Sequence, residues 1–399
     1  MNNNPLSDRI NNLSTSQTLA MAALARELKA QGKDIISLSL GEPDFNTPDF
    51  IKEAAKKAID ENYTHYPPVS GYREVLTAIS NKFKRDNNLD YAPEQIVVSN
   101  GAKQSLANVL LSLVNDGDEV LVPTPYWVSY VEIIKLAGGV PVFINANVET
   151  DFKITADQLE KAITEKTKML MFSSPCNPSG SVYSKDELES LKNLLVNHPG
   201  VFVIADEIYE LINFGEDHFS IASFKDLYNQ VITVNGVSKG FAMTGWRIGY
   251  IGAPLWIAKA VAKMQGQITS APSSIAQKAA QAAVEANPSV VDEMKNIFLK
   301  RRDLMLEKLG SIKGMRCNVP TGAFYLFPDV QYFFGKQVNG KILKNADDLC
   351  MYLLEDARVA LVTGSAFGNP ECIRLSYATS EKDLIEAGNR IKKALDKLH

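Results

Sequence analysis

The chain has 399 residues, of which 45% are hydrophobic and 22% charged, with a formal net charge of −4. That is the balance of a globular protein too long for one simple core, so two domains are expected. It excludes a nucleic-acid partner, for want of a basic tract or zinc-finger spacing, and a membrane partner, for want of a long apolar run.

In chain order, the polar start MNNNPLSDRINNLSTSQ lacks the pattern of a secretory signal. Cys176, Cys317, Cys350 and Cys372 show no close pairing and no metal spacing, which predicts a reduced, cytoplasmic protein. TLAMAALARELKAQG has helical spacing, and DIISLSLGEPDF runs extended into a turn. TPDFIKEAAKKAIDENY predicts a helix with Thr47 as N-cap and Pro48 at its first position. A helix near 70–87 follows. Strands QIVVSN, EVLVP, VPVFI, KMLMFSS, VFVIAD, VITVNG and RIGYIGA then alternate with helices at 101–114 and near 126–137, 155–165 and 184–196. Near-continuous apolar strands between helices predict an α/β fold with a buried, mostly parallel sheet. After about residue 287, helices at 289–309 and 381–397 flank GAFYLFPDV and CIRLSYA. The predicted division is a large domain over 47–287 and a small α/β domain made of 1–46 and 288–399.

The chemistry-bearing residues are ambiguous one by one. Asp206 ends the strand VFVIAD, where parallel strands open on a ligand crevice, although a cap for the next element fits it equally. Lys239 and Arg247 lie in NGVSKGFAMTGWRIGY, an apolar segment that reads as buried and so needs anionic partners. SNGAKQSLANVL is a strand, a small-residue turn and a helix start, suited to one phosphate; the G-x-G-x-x-G and G-x-x-x-x-G-K-[ST] fingerprints are absent. Asn177 sits in the Pro-rich loop SSPCNPSG, and Trp127 just past a strand end, as core or as a stacking surface. Arg374 inside CIRLSYA fits a structural salt bridge or a carboxylate clamp. Together they ask for a ligand with one phosphate, a flat ring needing a carboxylate, and an aldehyde for a lysine. Pyridoxal 5′-phosphate meets all three demands.

With GEPDF, GAKQ, PYWVSY, SPCNPSG, ADEIY, SKGFAMTGWRIGY and IRLSYA in that order, the chain closely resembles the class I/II aminotransferases of the fold type I pyridoxal-phosphate family. The likeness spans about residues 16–395 and is greatest to the bacterial aspartate aminotransferase subgroup. The resemblance implies that Lys239 is bonded to the cofactor and shuttles the proton, Asp206 partners the ring nitrogen, and Tyr209 and Asn177 bind the phenolic oxygen. It implies ring stacking by Trp127 and phosphate contacts from Gly101, Ala102, Lys103, Ser238 and Arg247. Tyr66 matches a tyrosine reaching the phosphate of the partner subunit, which implies a homodimer with shared sites. Arg374 matches the clamp on the substrate α-carboxylate, with Asn177 and Trp127 beside it and Gly41 closing over substrate. Lys103, assisted by Ser16 and Thr18, matches the lysine serving a distal carboxylate. The implied reaction is ping-pong transfer of an amino group from an acidic amino acid to a 2-oxo acid, with aromatic, alanine or prephenate specificity and C–S β-lysis as rivals. A binding protein that merely retains the fold is opposed by the intact Lys239, Asp206 and Arg374. Three departures stand out: Gly236 replaces a hydroxyl residue, Cys176 replaces the usual asparagine, and PVSGYREV differs from the usual small-residue version of that loop.

Overall fold

The computed structural model describes residues 5–399. Seven strands form the central sheet: β1 (Ile96–Asn100), β2 (Glu119–Thr124), β3 (Val140–Asn145), β4 (Thr167–Ser173), β5 (Phe202–Asp206), β6 (Val231–Gly236) and β7 (Ile248–Gly252). Their order is β1-β7-β6-β5-β4-β2-β3. Only β7 runs against its neighbours, so the sheet is mostly parallel, as expected.

Alternation along each strand shows why both faces are apolar. Val97, Val120, Val122, Ile204 and Ile232 pack into one cluster with Leu106 and Val109 of the helix Ala102–Leu113. Val98, Leu121, Val203 and Ala205 pack into a second cluster on the opposite face. Side chains of successive strand residues point to opposite faces, so a strand covered by helices on both sides must be apolar throughout. The second cluster continues to Phe324, Ile391 and Leu395, so one apolar core underlies both the sheet and the C-terminal elements. There Tyr325–Leu326, Val362–Thr363 and Ile373–Ser376 make a small antiparallel sheet, and Ile36–Ser37 pairs with Val359–Ala360.

The helix expected from Thr47 begins instead at Asp49, with Pro48 as N-cap. The Thr47 hydroxyl is used elsewhere. It donates to the Ala242 carbonyl at 2.7 Å and accepts from Trp246 Nε1 at 3.0 Å, which ties this segment to the loop after Lys239. Helices Leu255–Ile268, Ser274–Glu285 and Ala346–Asp356 lie in stretches to which the sequence reading gave no element.

Strands β6 and β7 meet glycine to glycine, Gly236 opposite Gly249. A Cβ on Gly249 would run into the backbone of Gly101 and Ala102, so the helix start at Ala102 can lie directly on the sheet. Backbone atoms cannot yield as a flexible side chain does. Gly249→Ala is therefore expected to push the 101–102 turn outward and to cost about 1–3 kcal/mol of stability; an unchanged urea-unfolding midpoint would contradict this packing.

Candidate active site

A cavity of about 450 Å³ opens at the carboxyl ends of the parallel strands, where open α/β sheets hold ligands. Asp206 reaches it from the end of β5, and Ser238 and Lys239 from the turn after β6. Ala102 and Lys103 come from a helix start, whose first amides have no intrahelical acceptor. Trp127 and Asn177 come from the loops after β2 and β4, and Arg374 from the small sheet. Ser16, which caps the helix Gln17–Ala30, lines the cavity with Thr18 and Gly41. Tyr209 and Arg247 complete the set. Two expected residues are not in the lining. Gly101 lies beneath the Arg247 guanidinium, where a Cβ would stand 2.9 Å from Arg247 Cζ. Tyr66 is 99% exposed.

Burial dominates the electrostatics. Asp206 is 4% exposed, accepts from the Tyr130 hydroxyl at 2.7 Å and from the Ile208 amide at 3.3 Å, and has no ion pair among the described residues. Burial pushes its pKa up to about 6, against the pull of those hydrogen bonds. Lys239 Nζ donates to the Gly41 carbonyl at 2.6 Å. Burial draws its pKa down to about 8, opposed by Glu42 and helped by Arg374 and Arg247. Arg374 is 2% exposed and donates to Asn177 Oδ1 at 2.9 Å and to the Ser39 carbonyl at 2.6 Å, while its Nε has no partner. Its guanidinium lies 4.7 Å from the ring centroids of both Tyr325 and Phe367. No carboxylate neutralises it among the described residues, so the structural salt bridge is not formed and the clamp reading gains. Burial lowers its pKa as well.

The expectation that the whole 235–250 segment is buried holds for Lys239's neighbours but not for Arg247, which is exposed. Its φ of 57° turns the chain at the rim, and Nη1 donates to the Thr244 carbonyl at 2.9 Å. Hydration at the rim removes the need for a buried anion. Lys103 stands with its ammonium 5.0 Å from the Trp127 ring centroid, and burial, then Arg247, lowers its pKa.

The Gly236 departure has a steric cause. A Cβ there would lie 2.9 Å from both Gly249 Cα and the Ile248 carbonyl oxygen. Cys176 is buried, with Sγ 3.7 Å from the Pro125 carbonyl, and is not among the lining residues.

Sequence reasoning missed Tyr130 and Tyr325. Tyr130 holds Asp206; it lies three residues after Trp127 in PYWVSY, in the first turn of the helix Ser129–Leu136, with its ring edge-on to Trp127 at 5.7 Å. Tyr325, within GAFYLF, shares a 2.7 Å hydrogen bond with Tyr209 and touches the α-carbon side of Gly41, where a Cβ would strike its hydroxyl.

The profile of the aminotransferase class I and II family matches residues 33–391. A probable aspartate/prephenate aminotransferase of Rhizobium leguminosarum bv. phaseoli is 47% identical over 391 residues, 97% of this chain and 98% of the relative. The crystal structure of an aspartate aminotransferase from Rhizobium meliloti superposes with a TM-score of 0.96 at 44% identity over 99% of each chain. That of an aspartate aminotransferase from Thermus thermophilus with maleate gives 0.92 at 40% identity over 98% and 99%. Full-length likeness, shared fold and a lysine beside a buried carboxylate agree: the chain belongs to the class I and II aminotransferases and is a transaminase.

Proposed function

We propose that the cavity takes pyridoxal 5′-phosphate and moves an amino group from an acidic amino acid, aspartate first, to 2-oxoglutarate. The observation that carries this reading is Asp206, a buried carboxylate without a cationic partner among the described residues, in a wall shared with Lys239. A protonated ring nitrogen is the cation that such a carboxylate lacks. The residues fit the group at its other points: a helix start with Arg247 for the phosphate, Trp127 for the ring face, and Tyr209 and Asn177 for the phenolic oxygen.

When bound, the cofactor supplies an aldehyde for the amino group and a ring that takes up the electron pair of the α-carbon. The chain's own residues do the rest. Asp206 holds a proton on the ring nitrogen in a water-poor wall. Arg374 grips the substrate α-carboxylate through its unpaired edge, steadied by Asn177 Oδ1. Lys239 Nζ, whose pKa burial draws down to about 8, is thereby shifted toward the uncharged form that can take the proton from the α-carbon. Trp127 and Tyr325 exclude water. Release of an oxo acid before the second substrate enters gives ping-pong kinetics.

Preference for an acidic donor rests on Lys103, Ser16 and Thr18 in the cavity lining, with Thr18 Oγ1 buried and unpartnered. The relatives named for aspartate, one of them solved with maleate, support it. We also infer a homodimer. Tyr66 and Ile268 are exposed in segments that touch through the Ser274 hydroxyl and the His65 carbonyl, 3.0 Å apart. The division into lobes 47–287 and 1–46 with 288–399 belongs to the same reading.

An amino-donor screen with 2-oxoglutarate and prephenate as acceptors tests the proposal, and three variants sharpen it. Lys103→Ala should lower kcat/KM for aspartate by about 2–4 kcal/mol of transition-state binding and barely change it for alanine; equal losses would remove the acidic-substrate reading. In the cofactor-free protein, Asp206→Asn should raise the melting temperature relative to wild type, because the carboxylate's raised pKa means that its ionisation opposes folding. The gain should be absent below pH 4, grow between about pH 4 and 6, and level off above; a gain independent of pH would contradict the buried-carboxylate account. Mixing Tyr66→Ala with Lys239→Ala subunits should restore activity through one hybrid site per mixed dimer, and no recovery in verified mixed dimers would count against shared sites.

A further inference from the structure

Asp206 and Tyr209 face the cavity, but Glu207 and Glu210, on the same turn, do not line it and are 2% and 8% exposed. Backbone bonds hold the turn only in part: Glu207 N–H donates to the Val234 carbonyl at 2.8 Å, and Glu210 N–H to the Glu207 carbonyl at 3.0 Å. The remaining anchorage is polar. Glu210 is ion-paired with Lys82 and accepts from Asn87 Nδ2 at 2.7 Å, both from the helix Arg73–Asn87. Glu207 Oε1 accepts from the Ser220 hydroxyl at 2.6 Å. Its Oε2 stands 3.2 Å from His218 Nε2. Apart from that approach, neither Oε2 nor either ring nitrogen has a partner among the described residues.

Counting charge in this block decides what occupies the gap. Lys82 cancels Glu210, and Arg85 cancels Asp86. Tyr91 and Tyr250, which also face the two glutamates, are held above their ordinary pKa by burial and stay neutral. Glu207 is left over, and a buried carboxylate without a cation is costly. The ligating atoms of Glu207, Glu210 and His218 lie within 4.8 Å of one another, which invites a metal ion. Yet both Glu210 oxygens are already taken by Lys82 and Asn87, and the ammonium repels a second cation. A proton on His218 balances the block without displacing anything.

We propose that His218 is a positioning residue: as an imidazolium paired with Glu207, and with Lys82 on Glu210, it pins the 206–210 turn so that Asp206 and Tyr209 keep their places in the cavity. The consequence for the cofactor rests on the reading of the cavity given above. Burial pushes the imidazole pKa down and is the largest single influence, but the charge and hydrogen bond of Glu207 together with the charge of Glu210 outweigh it, so the pKa is raised. The pair's contribution is therefore complete below about pH 6.5 and is lost as pH rises through the raised value.

The chain has four histidines, so His218→Gln assigns the His218 signal by subtraction in a ring-nitrogen NMR spectrum. Both ring nitrogens of His218 should be protonated at pH 7, in the purified protein with and without pyridoxal phosphate. Because the signal is also read without cofactor, it tests the ion pair even if the cofactor reading fails. His218→Gln should weaken pyridoxal-phosphate affinity by about tenfold or more, since it strands a buried charge, and leave KM for the amino donor within about twofold. The double variant Glu207→Gln with His218→Gln removes both charges. It should recover affinity to within about threefold of wild type, and it stands in for the single variant should that fail to fold. A neutral imidazole at pH 7, a metal ion copurifying at one per chain, unchanged affinity in His218→Gln, or a double variant no better than the single would each overturn the proposal.

Discussion

Asp206, Lys239 and Arg374 share one cavity, and none forms a salt bridge with any described residue. Ionic groups in that state oppose folding, which is why burial moves all three pKa values toward the neutral form. The surrounding structure tolerates them by supplying directed dipoles in place of counter-ions: the Tyr130 hydroxyl for Asp206, the Gly41 carbonyl for Lys239, and the Ser39 carbonyl with Asn177 for Arg374. Each group keeps its capacity to meet an external charge, and the cost of ordering it is met before any ligand arrives.

The segment 41–47 shows how such placement is enforced. Asp44 takes Arg301 through two bonds of 2.6 and 2.9 Å, and Phe45 lies edge-on to Phe298 on the same helix, Asp292–Gly310. At the far end Thr47 is bound to Ala242 and Trp246, and Glu42 to Thr244. The strap is thus fastened to the helix Asp292–Gly310 and to the loop that follows Lys239, and the carbonyl it presents to the lysine is set from both sides. Tyr325 presses against Gly41 where a larger residue would clash.

Much of this was legible in the sequence. All seven strands of the sheet were visible as apolar runs; burial on both faces explains this for the inner strands, while the edge strand β3 is apolar although Val140 and Phe143 are exposed. Strand direction was less so: that β7 runs antiparallel follows from the connection through 237–247, which carries no periodic signal. The helices Leu255–Ile268 and Ser274–Glu285 went unassigned although their composition is helical. Of the site, ordered motifs gave the residues that touch the cavity from strand ends. They did not give Tyr130 and Tyr325, aromatics whose role depends on where a hydroxyl points, nor the exposure of Arg247, which depends on a single left-handed residue. Thr47 was misjudged because a hydroxyl before a helix can accept from the helix's first amides or bond to a neighbouring segment, and tertiary contact decided between them.

The chain contains three tryptophans in three distinct settings. Trp127 lines the cavity under the Lys103 ammonium, Trp246 is hydrogen-bonded to Thr47 at the strap, and Trp256 is 54% exposed with its ring against Phe202. Intrinsic fluorescence therefore separates into a ligand-sensing, a strap-sensing and a solvent-sensing component. Single Trp→Phe replacements would turn the protein into its own optical gauge, reading the filling of the cavity apart from the surroundings of the strap.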